Sequence, residues 1–318
     1  MAEIGYALSS EEHDAPALVR LAREAEEAGF AFALISDHYH PWIDRQGHSP
    51  FVWAVIGAIA QATARLRLGT GVTCPTMRCH PAIIAQAAAT AATLMPDRFF
   101  LGLGSGENLN EHIVGRRWPP AAERLAMLAE AIQIIRRLWE GAWVTHDGAY
   151  FTVDRARLYD VPPAPPPVFV AASGPKAARL AGDLGDGLIS TAPDPALVHA
   201  FVEAGGGGLP RYGQLTVCWA PGEAAARQIA RERWPTAALT GDMTQELPLP
   251  RHFEQASATV REEDVAQAIV CGPDPARHLA GIRRFLDVGF DAVYVHQVGP
   301  DQAGFFRFYR EHVLPALA

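Results

Sequence analysis

The most constraining feature of this sequence is a strand followed by an amphipathic helix, repeated along most of its 318 residues. One helix, Ala121–Gly141, has Leu125, Leu128, Ile132, Ile135 and Leu138 on a single face. Eight apolar segments predict strands at Ile4–Ser9, Phe32–Ser36, Leu66–Gly71, Phe99–Gly104, Val168–Ala172, Gly187–Thr191, Leu215–Ala220 and Ala292–Gln297. Eight such units predict an α/β fold of the (β/α)8 TIM barrel class. A doubly wound sheet is the alternative, but no GxGxxG follows the first strand.

Two parts of the chain exceed the minimal repeat. Ser105–Pro120 together with Asp147–Pro167 is loop-like and rich in proline, and Pro221–Asp264 is helical and polar. We interpret both as insertions on the barrel. We therefore expect one TIM-barrel domain over residues 1–318, with insertions around 105–120, 147–167 and 221–264.

Charge and composition exclude several classes of partner. The net charge is −8 without a basic block, which argues against nucleic acid and anionic membrane surfaces. No apolar run is long enough to predict a transmembrane helix, and the acidic N-terminus lacks the basic region of a signal peptide. The four cysteines lack CxxC spacing, which predicts neither a disulfide framework nor structural zinc. We expect a cytoplasmic protein that acts on a small molecule.

Polar side chains follow the second predicted strand, where residues 36–42 read SDHYHPW. In a (β/α)8 barrel, chemistry collects at the C-terminal ends of the strands. Asp37 could orient His38 as a general base, or it could cap the next segment beside a surface histidine. The strand-end position beside Trp42 favours the base. A metal site at Asp37, His38 and His40 is disfavoured, because no further ligand has comparable local support.

Two other strand ends carry candidate groups. Glu107 lies in a Gly-Ser-Gly-Glu-Asn turn, where it could exchange a proton or favour a helix start. Its place after the fourth strand favours the functional interpretation. Ser173-Gly174-Pro175-Lys176 opens a helix after the fifth strand, which suits a phosphate or an ordinary cap. Unlike the Asp194-Pro195 and Asp274-Pro275 caps, it has no acid to repel phosphate, so we favour an anion site.

The remaining cysteine and histidine side chains offer little chemistry. Cys74 could line the cavity, but no cysteine has the neighbouring base that would make it a nucleophile. His199, His252 and His278 stand in polar helical contexts and are predicted to lie at the surface.

The sequence resembles the luciferase-like superfamily of flavin and deazaflavin barrels. Within that superfamily it is most similar to the coenzyme F420-dependent glucose-6-phosphate dehydrogenase group. The resemblance runs nearly end to end, and SDHxxPW and GSGExLNE are its specific parts. The matching segments are SDHYHPW (36–42), GHSPF (47–51), LGTGVTCPTMRCHPAIIAQAAAT (68–90), PDRFFLGLGSGENLNE (96–111), YDVPPAPPPVFVAASGPKAARLAGDLGDGLIST (159–191) and DAVYVHQVGPDQAGFFRFYREHVLP (291–315).

The resemblance implies roles for residues at these strand ends. His38 would take the proton of a substrate alcohol with Asp37 as its orienting acid, and Glu107 would donate a proton to the reduced coenzyme. Trp42 would act in catalysis by packing against the developing charge and the coenzyme ring. Substrate contacts would come from Glu11, Trp42 and His296. Coenzyme contacts would come from Asp37, Gly71, Val72, Cys74, Ser105, Gly106, Asn110, Ala172, Ser173 and Gly174, with a non-proline cis peptide between Gly71 and Val72.

The chain departs from this group where the group holds the sugar phosphate with cations. An acid-containing Ala192–Pro195 replaces a lysine, Thr236–Leu249 contains no Lys or Arg, and Gln267 stands where an arginine would be. Because a dianion without a cationic clamp binds poorly, we predict that glucose 6-phosphate is not the substrate.

The leading hypothesis is therefore an F420-dependent oxidoreductase, a homodimer by resemblance, that acts on a neutral sugar or secondary alcohol. An FMN-dependent luciferase-like monooxygenase is the alternative. A non-catalytic flavin-binding barrel is the third hypothesis.

Overall fold

Eight parallel strands close into a barrel in the computed structural model, which describes residues 2–317. The strands are β1 (Glu3–Leu8), β2 (Phe32–Ile35), β3 (Arg67–Thr70), β4 (Phe99–Leu103), β5 (Val144–Asp147), β6 (Thr152–Ala156), β7 (Val168–Ala171), β8 (Gly187–Ser190), β9 (Arg211–Cys218), β10 (Val270–Cys271) and β11 (Ala292–Gln297). Around the barrel the strand order is β1, β2, β3, β4, β7, β8, β9 and β11, and β11 pairs again with β1. β5 and β6 form a separate hairpin, and β10 extends the edge beside β9.

Helices follow the barrel strands, so the predicted (β/α)8 fold is confirmed. The helices are α1 (Ala15–Ala28), α2 (Val52–Ala62), α3 (Pro81–Leu94), α4 (Asn108–Glu111), α5 (Ala121–Trp139), α6 (Pro175–Leu184), α7 (Pro195–Glu203), α8 (Glu223–Arg233), α9 (Met243–Glu246), α10 (Pro250–Ala256), α11 (Glu262–Ala268), α12 (Pro275–Asp287) and α13 (Gln302–Phe308). The side chain of Asp14 caps α1, that of Asp194 caps α7 and that of Asp274 caps α12. The N-terminus of α6, by contrast, has no side-chain cap. Within residues 2–317, none of these helices has the length and apolarity needed to cross a bilayer.

The two longest departures from the repeat differ in kind. Residues 221–264 are mostly helical, as predicted, and contribute α8 to α10 and the start of α11. Residues 147–167 are not purely loop-like, because β5 and β6 pair across residues 144–156. Val144 and Val153 are buried while their neighbours are exposed, and this short alternation was hidden among polar and charged residues.

Aromatic rings fill the N-terminal half of the barrel. Phe32, Phe100, Phe169 and Tyr212 lie near the starts of four strands and contact one another at centroid distances of 4.7–5.7 Å. Because this end is closed by a packed core, an internal cavity can open only towards the C-terminal ends of the strands.

His278 corrects one expectation about the surface. Its side chain is buried, with Nδ1 2.9 Å from the Tyr309 hydroxyl and Nε2 3.0 Å from the Gly272 carbonyl oxygen. Its polar helical neighbours in sequence lie on the other faces of α12, which misled the sequence interpretation.

Candidate active site

A cavity of about 480 Å³ lies at the C-terminal ends of the barrel strands. Residues of the 221–264 insertion, including Trp234, Thr236 and Gln245, form part of its wall. All but two of the predicted site residues line it, namely Glu11, Asp37, His38, Trp42, Gly71, Val72, Cys74, Ser105, Gly106, Glu107, Ala172, Ser173 and His296. Asn110 and Gly174 are the two that do not.

The closest acid to His38 is Glu11, which follows β1. Glu11 Oε1 lies 3.3 Å from His38 Nε2, and both side chains are at most 10% exposed. His38 Nδ1 lies 3.2 Å from the carbonyl oxygen of His40, so both ring nitrogens have an oxygen neighbour. Burial opposes ionisation of Glu11, but His38 and the Ser36 hydroxyl outweigh it and lower the pKa of this carboxyl. The pair is therefore an anionic carboxylate against an imidazole that faces the cavity.

Asp37 does not orient His38, which corrects the sequence prediction. Its Oδ2 accepts a hydrogen bond from the Thr73 hydroxyl at 2.7 Å, and its Oδ1 accepts one from Arg78 Nη2 at 2.9 Å. In an extended segment neighbouring side chains point in opposite directions, so adjacency in sequence did not bring the two groups together. Asp37 instead ties the end of β2 to the segment that follows β3.

The buried carboxyl group of Glu111, which was not predicted from the sequence, lies beside this segment. Glu111 is fully buried and lines the cavity, and its Oε2 accepts a hydrogen bond from the Arg78 backbone N–H at 2.7 Å. Its Oε1 lies 3.5 Å from Arg78 Nε and has no hydrogen-bond partner within residues 2–317. Burial raises the pKa of Glu111 to about 7, against the lowering effect of Arg78.

Arg78 therefore joins three strand ends. It contacts Asp37 after β2 and Glu111 after β4, and it lies itself after β3. Its own side chain is 9% exposed. Neither Arg78 nor Glu111 stood out in sequence, because their partners come from different strand ends.

Glu107 faces the cavity from the end of β4 and caps no helix with its side chain. Asn110 Nδ2 lies 3.4 Å from Glu107 Oε2, and Asn110 Oδ1 accepts hydrogen bonds from the backbone N–H groups of Tyr39 and His40. Asn110 is thus buried between two loops, where it holds the SDHYHPW segment instead of facing the cavity.

Small residues form the wall at the ends of β3, β4 and β7. The peptide bond between Gly71 and Val72 is cis, as the resemblance implied. Gly106 has a φ of 80°, and a Cβ there would lie 2.6 Å from Cys74 Sγ. Ser105, Ala172 and Ser173 continue this wall, so the backbone is open to close approach by a ligand.

Cys74 lies against this wall as a packing residue. Its Sγ is 3.0 Å from the Thr76 hydroxyl, and burial raises the pKa of its thiol well above the ordinary value. A thiol held neutral in this way is a poor nucleophile. Cys79, Cys218 and Cys271 are also free.

His296, at the end of β11, has its own acid. Its Nε2 lies 3.0 Å from Glu12 Oε2, and the edge of the Trp234 ring contacts it at 4.6 Å between centroids. Burial raises the pKa of Glu12, although His296 partly opposes this effect. Glu12 was not singled out in sequence, because nothing local distinguishes it from Glu11.

The charged side chains that line the cavity are acidic. Four carboxylic acids line it, namely Glu11, Asp37, Glu107 and Glu111, and no Lys or Arg of residues 2–317 does so. Within the same residues, no three His, Cys, Asp or Glu side chains are grouped to hold a metal ion.

Comparison with known proteins places this site in a family. A model of the luciferase-like monooxygenase family matches residues 1–292. F420-dependent hydroxymycolic acid dehydrogenase of Mycobacterium tuberculosis is 40% identical, over 99% of this chain and 88% of that protein. F420-dependent glucose-6-phosphate dehydrogenase of Beutenbergia cavernae is 37% identical, over 100% of this chain and 98% of that protein.

A solved structure of an F420-dependent enzyme also matches this chain. An F420-dependent secondary alcohol dehydrogenase, in complex with an F420-acetone adduct, superposes with a TM-score of 0.92. It is 31% identical, over 100% of this chain and 99% of that one. By its sequence and its fold, this chain belongs to the luciferase-like family and groups with the F420-dependent dehydrogenases of that family.

Proposed function

We propose that this protein is an F420-dependent dehydrogenase that exchanges a hydride between the deazaflavin and the carbon of a neutral secondary alcohol or sugar. The main support for this proposal is the buried Glu11–His38 pair, which lies beside Trp42 and faces the cavity. Glu107 lines the same cavity from another strand end. Relatives named as F420-dependent dehydrogenases, at 31–40% identity, support the choice of coenzyme.

The residues of the cavity fit a flat coenzyme with a phosphate-bearing tail. Gly106 and its small neighbours Ser105 and Ala172 form a wall without bulky side chains, which a ring can approach closely. Ser173 lies just before the N-terminus of α6, where backbone N–H groups favour an anion. We infer that this wall holds the ring and that Ser173 holds the start of the tail.

Coenzyme F420 supplies a ring carbon that exchanges a hydride but carries no proton with it. The alcohol proton therefore needs an acceptor of its own, and we assign this role to His38 Nε2, which lies beside the buried Glu11 carboxylate in the cavity. Glu11 Oε1, 3.3 Å away, stabilises the imidazolium that forms. The Trp42 ring, 5.1 Å from the His38 ring, packs against the same position and excludes water. Glu107 faces the cavity from the β4 side, where its carboxyl group can exchange a proton.

The charge of the cavity supports a neutral substrate. A phosphate dianion would meet the carboxyl groups of Glu11 and Glu107 and no lining Lys or Arg of residues 2–317. The nearby cation, Arg78, is already paired with Asp37 and Glu111. A neutral hydroxyl or carbonyl meets no such repulsion and can hydrogen-bond to His38. We therefore expect that glucose 6-phosphate is not a substrate, although several relatives of the chain are named as glucose-6-phosphate dehydrogenases.

A titration of the purified protein with oxidised F420 and with FMN tests the coenzyme assignment. Quenching of tryptophan fluorescence reports binding, because Trp42 lines the cavity. Tight binding of F420 with weak binding of FMN supports the dehydrogenase. Preference for FMN would move the function to a monooxygenase and remove His38 from its role as a base.

We further propose that the protein works in the cytoplasm as a homodimer. The four free cysteines suit a reducing compartment. Several large apolar side chains, such as Trp143 and Tyr159, are more than half exposed and are candidates for burial between subunits. Size-exclusion chromatography with light scattering measures the mass directly, and a monomer at micromolar concentration would contradict the dimer.

A further inference from the structure

His296 faces the cavity on the other side of β1 and forms a second acid–imidazole pair with Glu12. Glu12 Oε2 and His296 Nε2 are 3.0 Å apart, and both side chains are at most 5% exposed. Glu11 and Glu12 are consecutive, yet Glu11 contacts His38 after β2 and Glu12 contacts His296 on β11. Because β1 lies between β11 and β2 in the sheet, the two pairs flank one strand end.

The ring of His296 is fixed so that one nitrogen remains available. Nε2 is taken by Glu12, while Nδ1 has no hydrogen-bond partner among the residues that the structure describes. Trp234, from the 221–264 insertion, packs its ring at 83° against the imidazole and restricts its orientation. An imidazole held in this way presents its Nδ1 atom to a ligand.

Neutral polar side chains surround His296 on the cavity wall. Gln214 and Thr216 alternate along β9, so both point into the barrel, and Thr216 is the registered neighbour of His296. In the part of the chain that the structure describes, their side chains make no hydrogen bond. Thr236 adds a hydroxyl from the insertion. Polar side chains without partners on a cavity wall are suited to bind ligand hydroxyl groups.

We propose that His296, held by Glu12, forms with Gln214 and Thr216 a subsite for a second hydroxyl group of the substrate. The substrate is then a neutral polyol or an unphosphorylated sugar, not a simple secondary alcohol. This inference rests on the proposed function, because the first hydroxyl group is the one that His38 deprotonates. β11 and β2 are two strand spacings apart, roughly 10 Å, so the second oxygen lies several carbons from the reacting carbon.

Two alcohols that differ by one hydroxyl group test the subsite. We expect kcat/KM for 2,5-hexanediol to exceed that for 2-hexanol by about tenfold in the parent enzyme, since one added hydrogen bond has about this effect. In His296→Gln the ratio should fall to about two, which is the statistical factor for two equivalent hydroxyl groups. His146→Gln is the matched control, because His146 pairs with Glu130 at the same 3.0 Å outside the cavity. This variant should keep the ratio of the parent enzyme.

The result that would overturn the subsite is a parent enzyme with no preference for the diol, or an unchanged preference in His296→Gln. A second measurement separates this outcome from failure of the proposed function. Equilibrium dialysis of sorbitol against the coenzyme-free protein should show binding that His296→Gln weakens about tenfold and His146→Gln does not. If no alcohol reduces the coenzyme but sorbitol binding follows this pattern, the subsite stands and the dehydrogenase assignment fails. If His296→Gln weakens F420 binding and leaves sorbitol binding unchanged, the subsite assignment fails.

Discussion

Replacing Arg78 with methionine tests whether one buried guanidinium holds the strand-end loops of the site together. Arg78 Nη2 donates to Asp37 Oδ1 at 2.9 Å, and Arg78 Nε lies 3.5 Å from Glu111 Oε1. All three side chains are at most 9% exposed. Methionine keeps most of the aliphatic volume but leaves both acids without their cation.

The expected cost follows from this burial. Removing one partner of a buried ion pair costs about 3–5 kcal/mol, because the remaining charge stays buried. For 318 residues the entropy of unfolding is about 0.7 kcal/mol per kelvin. We therefore expect Arg78→Met to lower Tm by about 4–7 °C. An exposed pair contributes about 0–1 kcal/mol by comparison.

Thermal unfolding followed by circular dichroism measures this difference. Arg136→Met is the matched control, since Arg136 makes an equally short contact of 2.8 Å with Asp186 but both side chains are more than a third exposed. The control should lower Tm by about 1 °C or less. If Arg78→Met shifts Tm no further than Arg136→Met, the buried network does not hold the loops as described.

Three further predictions concern Glu111, His38 and Ser173. The folded pKa of Glu111, about 7, is above the value of 4.5 expected for an unfolded chain, so its contribution to stability is largest below pH 4.5 and is lost as pH rises to 7. Urea unfolding at pH 5 and pH 7.5 should show that Glu111→Gln removes roughly 2 kcal/mol of this pH dependence. His38→Gln should lower kcat/KM for F420 reduction by about 10²–10⁴, whereas His40→Gln should lower it far less, since His40 Nδ1 bonds the Leu109 carbonyl. Ser173→Asp should weaken F420 binding by about tenfold in a fluorescence titration, because a carboxylate would occupy the anion site, while Ser173→Ala should change it little.

Each of these predictions has a contradicting result. Equal pH dependence in Glu111→Gln and the parent protein would show that Glu111 does not titrate in this range. Equal losses in His38→Gln and His40→Gln would leave His38 without a special role as a base. An unchanged F420 affinity in Ser173→Asp would place the tail away from α6.

The fold was predictable because its signal is repeated and local. Each of the eight barrel strands is a short apolar run followed by a helix, and every one was found. Boundaries were less secure: the seventh strand was predicted at 215–220 but spans Arg211–Cys218, because Gly213 and Gln214 interrupt its apolar run. Both residues are tolerated there because Gly213 packs against the Phe285 ring and Gln214 faces the cavity.

The position of the site was also predictable, but its internal pairing was not. Strand order indicated that Glu11, His38 and Glu107 meet at one cavity, and they do. Sequence adjacency suggested that Asp37 contacts His38, whereas Asp37 contacts Arg78 and Thr73. The partners of Asp37 follow β3, more than 35 positions away in sequence, so local residue types could not reveal them.

The partners of Asn110 and His296 illustrate the same limit. Asn110 was predicted to contact the coenzyme, yet its amide oxygen accepts from backbone N–H groups of Tyr39 and His40. The acid beside His296 is Glu12, 284 positions away in sequence. Contacts of this kind depend on the closure of the barrel, which brings β1 beside β11.

We propose that this chain transfers a hydride from a neutral alcohol to coenzyme F420 with His38 as the base. The most direct measurement is the loss of oxidised-F420 absorbance when the protein is mixed with F420 and either a neutral secondary alcohol or sugar, or glucose 6-phosphate. We predict turnover with neutral substrates, no turnover with glucose 6-phosphate, and loss of activity in His38→Gln. Turnover with glucose 6-phosphate alone would contradict the assignment of a neutral substrate. Unchanged turnover in His38→Gln would contradict the assignment of His38 as the base.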